Sequence, residues 1–322
     1  MLTFHHLVDD KLTQTIVAGP DAQPLASTVW IDMLEPTPDE EAAVERLLKI
    51  DVPTREEMQK IDESSRLYAE GGVLFMTMPV VNKAATEPES AAVTFILAPD
   101  ALVTLRYVDP QPFGMFARRI LRHADLAASP EQALVGLLEQ IADRLADILQ
   151  GATADIDAIS AEIFRKPAAG PPARGGLQEI LRRVGRAGDL ATKARESLLG
   201  LDRLLLFLSA QPLCSREGKE RVETLIRDAH SLADHDSFLS DKVGFLQDAT
   251  LGMIDIEQSN IIKLFTVAAV AFMPPTLVAS IYGMNFKHMP ELDWPFGYPL
   301  ALSLMMLSAV LPFVFFRRKG WL

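Results

Sequence analysis

The chain has 322 residues, a formal net charge of −12 and one cysteine. A nucleic-acid-binding protein would carry a basic stripe, so this charge argues against that class. Cys214 cannot form an intrachain disulfide and has no Cys or His neighbours at the spacing of a structural zinc site, so we interpret it as a silent thiol. The HExxH, GxSxG, Walker A and GxGxxG motifs are absent from the sequence, so no catalytic motif indicates an enzyme.

The first segment, residues 1–125, has a mixed pattern of helix and strand signals. It opens without the basic and apolar regions of a signal peptide, so we expect it to stay in the cytoplasm. A capping box at 37–40, with proline at the first helical position, predicts a helix start. Apolar and β-branched runs predict strands at 28–32, 73–81, 92–97 and 102–107. This order predicts an α/β cytoplasmic domain rather than a TIM barrel.

The second segment, residues 126–215, is expected to form a cytoplasmic helical hairpin. A Ser-Pro-Glu-Gln sequence at 129–132 starts a helix that should extend to about residue 164. The stretch KPAAGPPARGG at 166–176 breaks this helix, and a second helix should occupy 177–209.

The third segment, residues 216–263, is predicted to be a stalk helix. No proline occurs from 213 to 273, so the helix should continue into the membrane without interruption. A helix from 216 to 283 would be about 100 Å long. A helix of that length implies partner helices, and therefore an oligomer.

Two stretches near the C-terminus, 264–286 and 294–316, each run for 23 residues without a charge. A bilayer core needs about 20 apolar residues in a helix, so we predict transmembrane helices at 264–286 and 295–316. Buried core helices of a globular domain are the alternative. Two runs of full span length, one directly after the other, argue against it.

Basic residues flank both spans and predict their orientation. Lys263 precedes the first span, and a basic tail, 317–322, follows the second. The positive-inside rule places both of these ends in the cytoplasm, so both termini should be cytoplasmic. The connecting segment, 287–294, is then an external loop.

Acidic residues are concentrated on the predicted stalk helix. Asp234, Asp241, Asp248 and Asp255 are spaced seven residues apart, so they lie on one slowly drifting helix face. The stretch 217–258 contains ten acidic and four basic residues, and its net charge of −6 is half that of the chain. A solvated helix face is one interpretation. Rings of carboxylates that gather cations around a symmetry axis are the other.

The two spans also carry motifs that resemble a known family. The chain has YGMNF at 282–286, followed by MPEL, at the outer end of the first span. FMPPTLVAS and IEQSNIIKLF precede this motif, and WPFGYP and RRKGWL follow it. This ordered set is similar to that of the CorA-type magnesium channels, and a weaker similarity reaches back to VWIDMLEP at 29–36.

The resemblance implies a funnel-shaped homopentamer in the inner membrane that passes Mg²⁺, and also Co²⁺ and Ni²⁺. It places an outer ion-selectivity ring at Gly283, Met284 and Asn285. It implies pore-lining positions at Ile262, Phe265, Met273 and Thr276, and at Ser259 or its neighbour Asn260 at the inner mouth of the pore. It also implies closure by cytoplasmic Mg²⁺, and the acids expected to bind that ion lie among Asp228, Asp234, Asp241, Asp248 and Asp255.

Two alternatives remain at this stage. A Zn²⁺ transporter of the same superfamily is disfavoured because MPEL follows GMN and no path lined by Cys and His is present. A cytosolic scaffold tethered by the hairpin is disfavoured because prolines and Thr276 within the first span exceed what a plain anchor needs.

Overall fold

The computed structural model describes residues 1–8, 11–17, 27–60, 62–164, 176–212, 215–285, 289–290 and 294–320. It divides into two units, Met1–Gln247 and Asp248–Leu322. The predictions for Cys214, for the hairpin tip and for most of the external loop concern positions outside the described residues.

A mixed seven-stranded sheet forms the centre of the first unit. Its strands lie in the order β2-β1-β3-β7-β6-β5-β4. β3 and β7 pair in parallel, and each other described pair is antiparallel. The strands are β1 Leu2–Val8, β2 Lys11–Val17, β3 Thr28–Leu34, β4 Leu67–Glu70, β5 Val73–Asn82, β6 Glu89–Leu97 and β7 Leu102–Arg106.

The helices that the sequence predicts are present in the expected order, together with short ones that it does not predict. They are α1 Pro38–Leu48, α2 Arg55–Met58, α3 Glu63–Arg66, α4 Gln111–Ile120, α5 Pro130–Phe164, α6 Gly176–Ser209, α7 Arg216–Tyr282 and α8 Gly297–Arg318, with a short 3₁₀ helix at Ala124–Ala127. The capping box is confirmed, because Thr37 Oγ1 accepts from Glu40 N at 3.3 Å and Thr37 N donates to Glu40 Oε2 at 3.0 Å.

The sheet separates two hydrophobic cores. Successive side chains of a strand point to opposite faces, so Trp30 packs into one core and Ile31 into the other. The larger core includes side chains of α4, α5, α6 and the first part of α7, whereas the smaller one includes side chains of α1 and α2. The helical hairpin is therefore packed on one face of the sheet.

A buried ion pair joins the two parallel strands. Arg106 donates from Nη2 to Asp32 Oδ2 at 2.7 Å and from Nε to Asp32 Oδ1 at 3.0 Å. Thr104 Oγ1 also donates to Asp32 Oδ1 at 2.7 Å and accepts from Trp30 Nε1 at 2.9 Å. These bonds satisfy both buried charges, so the network stabilises the strand pairing without being an open site.

Polar contacts tie the first part of α7 to the hairpin. Arg221 binds Glu139 of α5 at 2.8 Å, and Asp236 binds Arg195 of α6 at 2.8 Å. His230 also lies 2.9 Å from Asp202 of α6, and Lys242 pairs with Asp157 of α5.

Candidate ion pathway and stalk carboxylates

The second unit contains the end of α7 and all of α8, and both are apolar where they are most exposed. Each helix contains an 18-residue apolar stretch, of which only 6% is buried in α7 and only 11% in α8. A core helix of a globular domain would be mostly buried, so these two helices fit membrane spans instead. Arg317 and Arg318 end α8, as expected for a helix that finishes at an interface.

The positions assigned to the pore are exposed on α7 in the single chain. The exposed fraction is 57% for Ile262, 70% for Phe265 and 68% for Met273, and Ser259 and Thr276 are exposed as well. Ser259, Ile262 and Met273 fall within about 60° of one another around the helix, because eleven residues are close to three turns. Phe265 and Thr276 lie on the side of the helix away from Ser259, about 60° and 40° from Ile262 and about 120° and 100° from Ser259.

Two consecutive prolines interrupt the backbone hydrogen bonding of α7 within the apolar stretch. Pro274 and Pro275 lack N–H groups, so they cannot donate to the carbonyls of Val270 and Ala271. At the next residue, the Thr276 hydroxyl donates to the Phe272 carbonyl at 2.8 Å. The helix nevertheless continues to Tyr282.

The Gly283-Met284-Asn285 segment forms the turn that ends α7. Gly283 N donates to Ala279 O at 2.9 Å, and Met284 N donates to Ile281 O at 3.3 Å. A Cβ at Gly283 would lie 3.1 Å from that same Ala279 oxygen, so the turn is tight there. Asn285 is exposed, and its amide has no hydrogen-bond partner among the described residues. Within the described ranges, no side chain or backbone group competes with a ligand for this amide.

The four heptad-spaced acids of α7, hereafter the stripe, are all exposed: Asp234, Asp241, Asp248 and Asp255. The described part of the chain contains no group of three or more His, Cys, Asp or Glu residues that could hold a metal ion. Each stripe position therefore offers one carboxylate per chain, so a ring of them requires further copies of the chain.

Asp228 lies apart from the stripe, by about 120° around the helix from Asp234. It borders a cavity of about 690 Å³ between α4, α5 and α7, together with Asp143. Burial raises the pKa of Asp143, with further raising contributions from acids that include Asp228, while Arg119 opposes the shift. The family resemblance grouped Asp228 with Asp234 and Asp241, whereas Asp228 lies on a different face of α7.

Asp236 is an acid of α7 that the sequence pattern did not single out. It is fully buried, and burial raises its pKa while the bond to Arg195 lowers it. Asp236 lies two residues after Asp234 and therefore falls outside the heptad spacing. That spacing was the sequence feature by which acids of α7 were selected. Asp236 thus serves packing against α6 and is not open to solvent.

The whole chain matches known transport proteins. Residues 26–318 match the family model described as "CorA-like Mg2+ transporter protein". The magnesium transport protein CorA of Escherichia coli strain K12 is 33% identical over 323 residues, and the match covers 100% of both chains. The chain belongs to the CorA-like Mg²⁺ transporter family.

Solved structures agree with this family assignment at the level of the fold. The complete structure of the CorA magnesium transporter from Methanocaldococcus jannaschii has a TM-score of 0.76 at 18% identity, covering 100% of this chain and 99% of that one. The full-length CmaX protein has a TM-score of 0.66 at 16% identity and covers 100% and 98% of the two chains. Both likenesses extend through the N-terminal domain, the long helix and the two apolar helices.

Proposed function

We propose that the chain mediates Mg²⁺ influx across the inner membrane, and that it also passes Co²⁺ and Ni²⁺. The observation that carries this proposal is the course of α7. One helix bears an exposed stripe of carboxylates, continues as an exposed apolar span, and ends at Tyr282, where a turn leads to the exposed Asn285. Membership in the CorA-like family supports Mg²⁺ as the ion.

We infer that the chain works as a homopentamer. The apolar, exposed faces of α7 and α8 need lipid or neighbouring helices around them. Copies arranged around one axis would bring the exposed side chains of α7 together and turn single positions into rings. Ile262, Phe265 and Met273 would then form apolar rings that close by dewetting, with Ser259 and Thr276 as polar positions.

Asn285 and Gly283 suit an outer ring for a hydrated ion. Mg²⁺ gives up its water reluctantly and requires octahedral oxygen geometry. Amide oxygens of Asn285 and carbonyl oxygens of Gly283 can accept hydrogen bonds from that water shell without displacing it. Because these groups are neutral, they bind the ion without holding it as tightly as a ring of carboxylates would.

We propose further that cytoplasmic Mg²⁺ closes the channel by binding stripe carboxylates of neighbouring copies. Empty carboxylates repel one another and favour separated helices, whereas a bound ion cancels that repulsion and favours a closed arrangement. Asp234 and Asp241 are the regulatory members, and Asp248 and Asp255 gather ions for the pore. Asp228, which the resemblance also implies as a regulatory acid, lies on another face of α7 beside Asp143, so we leave it out of the proposed closing site.

Both termini are proposed to be cytoplasmic, with the segment near 285–295 outside. This orientation is tested by single-cysteine labelling in a Cys214→Ser background with a membrane-impermeant thiol reagent applied to intact cells. A cysteine at Met289 should react, whereas one at Gly320 should react only after the membrane is opened. Labelling of position 320 but not of 289 from outside would invert the topology.

Ion uptake by purified protein in liposomes tests the transport proposal. We expect Mg²⁺ entry that rises with an inside-negative potential, and weak competition from Zn²⁺, because the described path offers amide and carbonyl oxygens rather than Cys or His ligands. Uptake of Zn²⁺ in preference to Mg²⁺ would favour the zinc transporter. No uptake of any divalent ion would favour a tethered scaffold.

A further inference from the structure

Three adjoining cavities form a groove on the first unit, away from the acidic α7 cavity. Their volumes are about 420, 360 and 280 Å³. The first two share Met58, Gln59, Ser90 and Ala92, and the first and third share Arg203, so the three are continuous. We call this surface the arginine groove. It runs between α2, the first residues of β6 and one face of α6.

The charge of the arginine groove is opposite to that of the whole chain. It is lined by Arg55, Arg66 and Arg203 against a single carboxylate, Glu196. In the described residues none of these arginines has a carboxylate within 4.0 Å: Arg55 lies over the Tyr107 ring at 4.9 Å and Arg66 donates to the Lys60 carbonyl at 2.5 Å. The three arginines thus give the groove a local positive charge, although the net charge of the chain is −12.

The wall of the groove is fixed by close packing of α6 on β5. Gly200 approaches so closely that a Cβ there would lie 2.6 Å from Pro79 Cδ. Met58, Leu199 and Pro79 supply apolar surface beside the guanidinium groups. The groove is thus a firm concave surface with cationic groups along its length, and not only scattered surface arginines.

We propose that the arginine groove binds a phosphate-bearing anion with several phosphate groups in a chain. A guanidinium presents paired N–H donors that match phosphate oxygens, and such charge-assisted bonds are stronger than neutral ones. Arginines spread over three adjoining cavities suit an extended oligophosphate better than a single phosphate. The proposal does not rest on the proposed function, because anion binding in the groove requires neither a pore nor a transported cation.

The groove also lies on the helix that holds α7. Glu196 and Arg203 line the groove, and their sequence neighbours Arg195 and Asp202 contact Asp236 and His230 of α7. The residues of α6 that would contact a bound anion are therefore adjacent in sequence to the two residues of α6 that contact α7. This geometry makes the groove a binding site with a direct mechanical connection to the stalk.

Calorimetric titration of the full-length protein with sodium tripolyphosphate tests the proposal. Excess EDTA is present throughout, so that chelation of divalent ions contributes nothing. We expect saturable binding by the parent. Arg203→Gln should weaken it about ten-fold, the effect expected for loss of one charge-assisted contact. Glu196→Gln should tighten binding, because it removes the one carboxylate that repels the anion.

Arg216→Gln provides the matched control, because Arg216 is an arginine of α7 whose side chain is 94% exposed and lies outside the groove. Its affinity for tripolyphosphate should equal that of the parent. Gel filtration establishes that each variant keeps the parent's assembly. Absence of saturable binding would overturn the proposal. So would equal weakening by Arg203→Gln and Arg216→Gln, because that would indicate a general charge effect.

Discussion

The acidic residues of α7 look alike in the sequence but occupy three different environments. The stripe is exposed, Asp228 borders a cavity, and Asp236 is fully buried against Arg195. Heptad spacing was sufficient to group the stripe, because residues seven apart return to nearly the same helix face. It could not show which face packs against α5 and α6, because that depends on residues far away in the chain.

His5 provides a prediction at the level of a single side chain. It is buried and stacks on Trp30 with ring centroids 4.3 Å apart. Burial lowers its pKa to about 4, with a smaller contribution from His6, while Asp32 opposes the shift. An unfolded His titrates near 6.5, so the unfolded chain binds more protons between these values. The contribution of neutral His5 to the free energy of unfolding should be fully present above pH ~6.5. It should fall by about 3 kcal/mol as the pH approaches 4.

His5→Phe should remove this part of the acid sensitivity, because Phe keeps the stacking and cannot be protonated. Thermal unfolding of the purified parent and variant at pH 7 and pH 4.5 measures the effect. The parent should lose more stability than His5→Phe between the two values. An equal loss in both proteins would assign the acid sensitivity to other groups.

At the level of elements, helix signals predicted the structure better than strand signals. Start and break residues gave α5, α6 and α7 to within one or two residues, and β3, β5, β6 and β7 were also predicted. The β1–β2 hairpin was missed because His5 and His6 obscure the apolar pattern of β1, and because β2 is mostly exposed. α4 was missed because Pro112 and Gly114 lie within it, and both residues normally disfavour helix.

The proposed closure by cytoplasmic Mg²⁺ predicts the effect of removing three of the five acids that the resemblance implies, those farthest from the apolar span of α7. Substitution of Asp228, Asp234 and Asp241 to Asn should keep Mg²⁺ flux high when internal Mg²⁺ is raised to millimolar levels, while selectivity stays that of the parent. The reason is that neutral amides neither repel one another nor bind the closing ion strongly. Flux from liposomes loaded with Mg²⁺ measures this directly.

Asp228→Asn alone serves as the control in the same assay, because Asp228 faces the cavity and not the stripe. This single variant should still be inhibited by internal Mg²⁺. If the triple variant is inhibited just as the parent is, the stripe is only a solvated helix face.

At the scale of the whole molecule, the sequence predicted the spans because a charge-free apolar stretch of bilayer length is rare outside membrane helices. The single chain then adds the observation that these helices are apolar and exposed. The proposed selectivity ring and apolar constriction both need several copies of the chain, because one chain carries a single side chain at each level of the pore.

Mg²⁺ flux through Asn285 variants in liposomes is the most direct test of that assembly and of its function. Asn285→Ala and Asn285→Gly should both abolish Mg²⁺ uptake while the protein elutes at the parent's position in gel filtration, because neither residue offers an amide oxygen to the hydrated ion. If Asn285 merely caps α7, Gly should preserve transport, because Gly is also a good cap. Normal Mg²⁺ flux in both variants would contradict the ion-ring role.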